Sequence, residues 1–122
     1  MLSFEEIEQT IFEFTKANIQ IVESALNAKF KLVSFKMFKN LNNGTEIATC
    51  QTLVNGIDFE DGLNTGHQIL AGLDIIQTLA REYQASVPVF IDNSENLTTD
   101  FESDLQTIQL FAKKGIKELE IQ

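Results

Sequence analysis

Apolar residues recur at Phe4, Ile7, Ile11, Phe14, Ile21 and Ala25 in steps that alternate between three and four, and this spacing predicts an α-helix over residues 3–28. Ser3 followed by Glu6 fits a capping box at its start, and Glu5 and Glu8 suit the positive end of a helix dipole. Asn18 takes the one position in the series that ought to be apolar, and a lone Asn at such a place sets register in coiled coils. A second row, Phe12, Ile19, Val22 and Leu26, widens the apolar face. The helix is therefore expected to pack on its own domain along one side and to carry a seam, Ile11, Phe14, Asn18 and Ile21, as a possible homodimer contact. Three heptads are a short run, so core packing ranks ahead of a true coiled coil.

After Phe30 the period changes to two. Val33, Phe35 and Met37 alternate with Leu32, Ser34 and Lys36, which predicts a strand over 30–39. Residues 40–44 form a turn in which Asn43-Gly44 supplies positive φ, and a strand returns over 45–54. Asn55-Gly56 is a second tight turn into a short third strand over 57–59. A long, deeply packed helix follows, with Asn64 or Thr65 as N-cap and Ile69, Leu73, Ile76, Ala80 and Tyr83 on one face, widened by Leu70 and Leu79. The run 87–91 reads as a buried strand, with Pro88 at its front where a missing N–H is tolerated and Asp92 at its carboxyl end. In open α/β sheets ligands bind at that end. Residues 94–104 are polar and acidic with room for a short helix, and 105–111 and 116–121 read as two closing strands around Lys113-Lys114-Gly115. The expected fold is α/β of the α+β kind: long helix, antiparallel hairpin or meander, central amphipathic helix, buried strand, two closing strands. It is expected as a single compact domain over 1–122, with a helical arm at 1–28 and an α/β lobe at 29–122.

The chain's 122 residues suit one domain, and 43% apolar with 22% charged residues argues against disorder. No apolar run approaches the roughly 20 residues that span a bilayer, so no membrane contact is expected and the expected location is the cytoplasm of a host cell. Cys50 and His67 are each alone, so neither a disulfide nor a cysteine- or histidine-rich metal site is expected. The net charge of −9 disfavours direct contact with nucleic acid. It is uneven: residues 40–112 hold eleven carboxylates and one cation, Arg81, just after Lys29, Lys31, Lys36 and Lys39. The plain reading is a solvated surface; the sharper one is a face for a basic protein partner. Ten Phe and no Trp, without a basic stripe, suit a core better than a base-stacking platform.

FKLVSFKMFK, CQTLVNGIDFEDGLN, the helix that follows, and PVFIDNSENL together resemble the C-terminal lobe of SMC/RecF-like ATPase heads of the ABC type, as encoded by phages and mobile elements. The resemblance covers roughly residues 20–122. It implies that Leu63, Asn64, Thr65 and Gly66 stand where the signature loop would hold an anion at a helix N-terminus. It implies that Asp92 stands where the Walker B aspartate would hold magnesium through water. The sequence departs from the family pattern at Asn93, where many relatives carry a catalytic glutamate, with Glu95 two residues on as the carboxylate that would substitute. Phe111 and Ala112 stand near the place of a switch histidine. The larger departure is upstream. The phosphate-gripping G-x-x-x-x-G-K-[ST] loop is missing, and Asn43-Gly44-Thr45-Glu46 has neither its second glycine nor its lysine. The chain alone is expected to bind no cofactor and to hydrolyse no ATP.

Other chemistry is weaker. Ser86, Ser94 and Cys50 have no histidine within obvious reach, His67 is expected to be exposed, and Asp92 with Glu95 is a remote acid/base pair. Three readings follow. The first is a non-catalytic acidic interaction protein derived from an ATPase lobe. In its concrete form it is an anti-CRISPR type inhibitor, a DNA mimic offering Asp58, Glu60, Asp61, Asp92, Glu95, Asp100, Glu102 and Asp104 to a CRISPR effector nuclease. The second is the C-terminal half of a split or truncated ATPase that completes its site with a partner chain. The third is a dimerising module built on the first helix.

Overall fold

The computed structural model describes every residue except Leu2 and Gln122. The described residues form an α+β chain: two α-helices, a three-stranded antiparallel sheet and a two-stranded parallel sheet. It forms two compact units, Met1–Leu63 and Asn64–Gln122, where a single domain with its seam after residue 28 was expected. The first helix is thus part of a unit with the antiparallel strands and does not stand apart as an arm.

In the first unit, helix α1 spans Phe4–Asn27. The capping box forms as the sequence predicts: the Ser3 hydroxyl accepts from the Glu6 N–H at 3.2 Å and the Glu6 carboxylate accepts from the Ser3 N–H at 2.8 Å. Strands β1 (Val33–Asn40), β2 (Glu46–Val54) and β3 (Ile57–Asp58) form a meander in the order β1-β2-β3. Asn55 (φ 52°) and Gly56 (φ 80°) make the two-residue left-handed turn between β2 and β3. In the first turn only Gly44 is left-handed (φ 80°). Asn43 contributes its side chain instead, which accepts from the Thr45 N–H at 3.0 Å. The β1–β2 register shifts between Lys36 and Phe38, leaving Met37 as a bulge.

Helix α1 lies along the outer edge of β1 and satisfies it with polar side chains. The Asn27 amide accepts from the Phe35 N–H at 2.7 Å and donates to the Phe35 carbonyl at 2.9 Å, as a neighbouring strand would. Glu23 accepts from the N–H of the bulged Met37 at 2.7 Å, and Lys16 pairs with Glu46. Ile19 and Leu26 are half-buried on this same side, and no residue of α1 is fully buried. An exposed strand edge invites unwanted pairing, and this helix blocks it.

In the second unit, helix α2 spans Thr65–Glu82 with Asn64 as N-cap. Its end is a Schellman motif: Ala85 N–H donates to the Ala80 carbonyl and Gln84 N–H to the Arg81 carbonyl, with Gln84 left-handed at φ 52°. Strands β4 (Val89–Ile91) and β5 (Thr107–Gln109) pair in parallel, joined by a crossover that includes a 3₁₀ turn at Ser94–Asn96. Leu73, Val89 and Ile91 form the core, with Ile69, Leu97, Phe101 and Leu105 packed against it.

Four expectations are corrected here. On α2 the buried positions are Ala71, Leu73, Thr78 and Ala80, while Ile76, Leu79 and Tyr83 are exposed. Leu73 and Ala80 lie on the expected face, of which the two three-residue strands cover only part, whereas Ala71 and Thr78 lie on the opposite side of the helix. The run 87–91 is a strand only from Val89 and is buried on one side: Val89 and Ile91 point inward, and Phe90 is 65% exposed. The first closing strand shortens to Thr107–Gln109. The second, over 116–121, does not form among the described residues: Leu119 and Ile121 are exposed, so the segment has no buried face to offset the cost of ordering.

Candidate functional site

Asp92 lies one residue past β4, where the backbone is pinned from both sides. Leu110 N–H donates to the Ile91 carbonyl at 2.8 Å and Ser94 N–H donates to the Leu110 carbonyl at 3.0 Å. The buried Ser94 hydroxyl donates back to the Ile91 carbonyl at 3.0 Å, and Asn93 takes a left-handed conformation (φ 55°) to turn the chain. Asp92 is exposed at the carboxyl end of the parallel pair, one carboxylate oxygen accepting from the Asn93 N–H at 2.8 Å. Glu95 is also exposed, but it accepts from the Ala112 N–H at 3.3 Å and so has a partner away from Asp92.

The start of α2 forms a separate feature. Asn64 Oδ1 accepts from the His67 N–H at 2.9 Å and lies 2.9 Å from His67 Nδ1, so the cap already engages one of the free N–H groups of the first turn. An anion at this helix end would have to compete with that cap. Gly66 is here for steric reasons: a Cβ would collide with the Asn96 carbonyl oxygen, so glycine alone lets the 3₁₀ turn sit against the helix start. Between them is a cleft of about 300 Å³, lined by Asn64, Thr65, Gly66, His67 and Leu70 and by residues 96–99. Asp92 does not line this cleft, and Leu63 belongs to the other unit. The residues expected as signature loop and Walker B aspartate therefore do not share a pocket. Among the described residues no group of three or more histidine, cysteine or carboxylate side chains is arranged to hold a metal ion.

The acidic residues divide in the same way. Asp58, Glu60 and Asp61 are in the first unit, where Asp58 accepts from the Glu60 N–H at 2.8 Å and from the Gln51 amide at 3.2 Å. Asp100 and Glu102 are exposed, whereas Asp104 accepts from Arg81 Nη2 at 2.7 Å and Nε at 3.0 Å. Asp58 and Asp104 thus have structural partners. The seam residues Ile11, Phe14, Asn18 and Ile21 lie in one exposed row along α1.

Two features escaped the sequence reading. One is the pair Glu23 and Asn27, four apart on the helix face that holds β1; polar side chains on an amphipathic helix read as solvent-facing. The other is the openness of the parallel pair. Among the described residues β4 has only β5 beside it, and Phe90 shows outward.

Compared with known proteins, the chain matches no family model, no curated protein and no solved structure. Among the described residues no helix is long and apolar enough to cross a membrane.

Proposed function

We propose that this chain is the C-terminal half of an ATP-hydrolysing machine of the SMC/RecF-like kind, inert alone and completing a site with a partner chain that carries the phosphate loop. The observation that supports this reading is the unfinished parallel sheet. Parallel strands are ordinarily covered on both faces, and two strands make a marginal sheet. Here a two-stranded parallel pair leaves Phe90 65% exposed, has free outer edges among the described residues, and ends on the exposed carboxylate of Asp92. A further parallel strand from a partner would extend the sheet and bring its phosphate loop to the Asp92 end. The donor set fits such a division of labour. One carboxylate with no companion ligands does not hold a metal ion, but it suits a magnesium ion that takes its other ligands from water and phosphate. Magnesium, when bound, would neutralise charge on the transferred phosphate. This chain's own part is to present the Asp92 carboxylate from a backbone pinned by the Ser94 and Leu110 hydrogen bonds.

The test is reconstitution. Neither this chain nor the loop-bearing partner turns over ATP alone; the mixture does, and Asp92→Ala removes the activity while Glu95→Gln, whose partner is the Ala112 N–H, retains it. Failure to form any nucleotide-dependent complex with a loop-bearing chain encoded beside it would sink this reading.

A second reading has its own support. Asp92, Glu95, Asp100 and Glu102 are all exposed, and no lysine or arginine occurs in residues 82–112. An acidic, lysine- and arginine-free segment of that kind suits a basic protein partner, in the concrete case the positively charged channel of a CRISPR effector nuclease. Titrating the chain against such an effector would lower DNA binding and cleavage; unchanged cleavage at saturating chain removes this alternative.

A further inference from the structure

We infer that the outward face of α1 is a self-association seam through which two copies of this chain pair in parallel and in register. The helix is inverted relative to an ordinary surface helix. Its polar side chains Lys16, Glu23 and Asn27 hold the sheet, while Phe4, Ile7, Ile11, Phe14 and Ile21 are exposed on the far side, at 81%, 44%, 60%, 69% and 68%. At 100° per residue this stripe is centred roughly 140° around the helix from the Lys16–Ile19–Glu23–Leu26 face that meets β1. The two faces therefore do not compete.

Three observations commit the seam to a second copy. The first is charge. With Phe4, Ile11, Asn18 and Ala25 at one core position and Ile7, Phe14 and Ile21 at the other, the flanking positions are Glu8, Thr10, Thr15, Ala17, Val22 and Ser24. Only Glu8 is charged, and the remaining acids Glu5, Glu6, Glu13 and Glu23 lie off the seam. A chain of net charge −9 that meets itself must keep like charges from facing one another, whereas a helix made for a basic partner would put acids on the flanks. The second is Asn18. It is the one polar residue in the row; a parallel, in-register pair sets it opposite its own copy, where the two amides bond, whereas an antiparallel pair centred on it would leave Phe4 and Ile7 beyond the end of the facing helix. The third is area. The five apolar side chains offer on the order of 500 Å² per copy, and Ala17, Val22 and Ala25 bring the patch toward the roughly 800 Å² per partner of a standard interface. This is a small, reversible contact, and it stands whether or not the nucleotide reading does.

The experiment is mass measurement of the full chain across concentration. A monomer–dimer equilibrium in the micromolar range is expected, unchanged or tightened as salt rises, because the repelling charges lie off the seam. Phe14→Glu is expected to weaken association at least about 100-fold, the size of effect that follows from placing a charge in an apolar contact. Its helical circular dichroism should stay, since residue 14 does not face β1. Direction is read in a Cys50→Ser background carrying Ala25→Cys. A parallel pair sets the two introduced thiols side by side, and oxidation gives a covalent dimer in high yield. A chain monomeric at every concentration overturns the proposal. So does a dimer that dissolves with salt, one that survives Phe14→Glu, or one in which the introduced thiols fail to join because the helices are antiparallel.

Discussion

The two helices carry the same kind of pattern and use it in opposite ways. On α2 the core position Leu73 packs on Val89 and Ile91 of its own unit, and Ala71, Thr78 and Ala80 are also buried. On α1, six residues longer, nothing is fully buried: Asn27 and Glu23 bond the edge of β1, Lys16 pairs with Glu46 of β2, and Ile19 and Leu26 are only half-buried. Periodicity states that a helix has an apolar side. It does not state whether that side is covered by the same chain. What covers it is decided by the neighbouring elements: β1 presents a backbone edge that wants hydrogen-bonding side chains, while β4 presents Val89 and Ile91, which want apolar ones.

The sharpest way to break this comparison is to truncate one residue on each helix. Leu73→Ala removes a nearly fully buried side chain and leaves a cavity, so it is expected to cost about 2–4 kcal/mol in chemical denaturation. Phe14→Ala removes a larger side chain that is mostly exposed, and at low protein concentration it is expected to change stability by no more than about 0.5 kcal/mol. At high concentration Phe14→Ala should become destabilising, because binding that favours the folded state adds to stability by mass action. Equal costs for the two at low concentration would mean that α1 is packed in solution in a way its exposure contradicts.

Gly66→Ala comes next in size and bears on the site. The added methyl meets the Asn96 carbonyl oxygen, a backbone atom that cannot rotate away, so the 3₁₀ turn must shift off the start of α2. A cost of about 1–3 kcal/mol is expected, in the range of overpacking. Gly72→Ala, where a Cβ meets nothing within 4 Å, is the control and should stabilise the helix by up to about 1 kcal/mol. If the two substitutions behave alike, the glycine in the Leu63-Asn64-Thr65-Gly66 stretch has no packing role.

Much of the first unit was legible because its signals are local. A capping box, the Asn55-Gly56 turn and period-two strands each depend on residues a few positions apart; the first two formed where the sequence placed them, and the strand expected over 30–39 begins at Val33. The Asn64 cap at the start of α2 was legible for the same reason. The second unit was harder, because β4 and β5 pair in parallel across a long connection and local patterning says nothing about strand neighbours. The run 87–91 looks buried throughout, since Val, Phe and Ile follow one another; that Phe90 faces out reflects an uncovered outer face of the pair, which local pattern does not reveal. The segment 116–121 alternates loosely enough to suggest a strand, but pattern cannot supply the edge a strand must pair with. At the candidate site, Asp92 at a strand end was readable from Pro88 and the apolar run. That Glu95 bonds the Ala112 N–H, and that Asp104 bonds Arg81, required the folded chain.

The smallest expected effect contrasts the two helix ends. Helix α1 stops at Ala28 with an ordinary right-handed backbone (φ −64°), so no residue there is strained. Helix α2 stops in a Schellman motif whose left-handed position, ordinarily glycine, is held by Gln84 at φ 52°. A side chain with a Cβ is disfavoured in that region, and the two bonds to the Ala80 and Arg81 carbonyls hold it there. Gln84→Gly removes the steric cost in the folded state and adds flexibility to the unfolded chain, and the first effect is the larger. A net gain of about 0.5–1 kcal/mol is expected, read as a rise in denaturation midpoint at unchanged slope. The matching change at the other end, Ala28→Gly, relieves nothing and should cost up to about 1 kcal/mol. Opposite signs at the two ends follow from the backbone alone; a loss of stability in both would mean that the Gln84 side chain makes a contact worth more than the strain it carries.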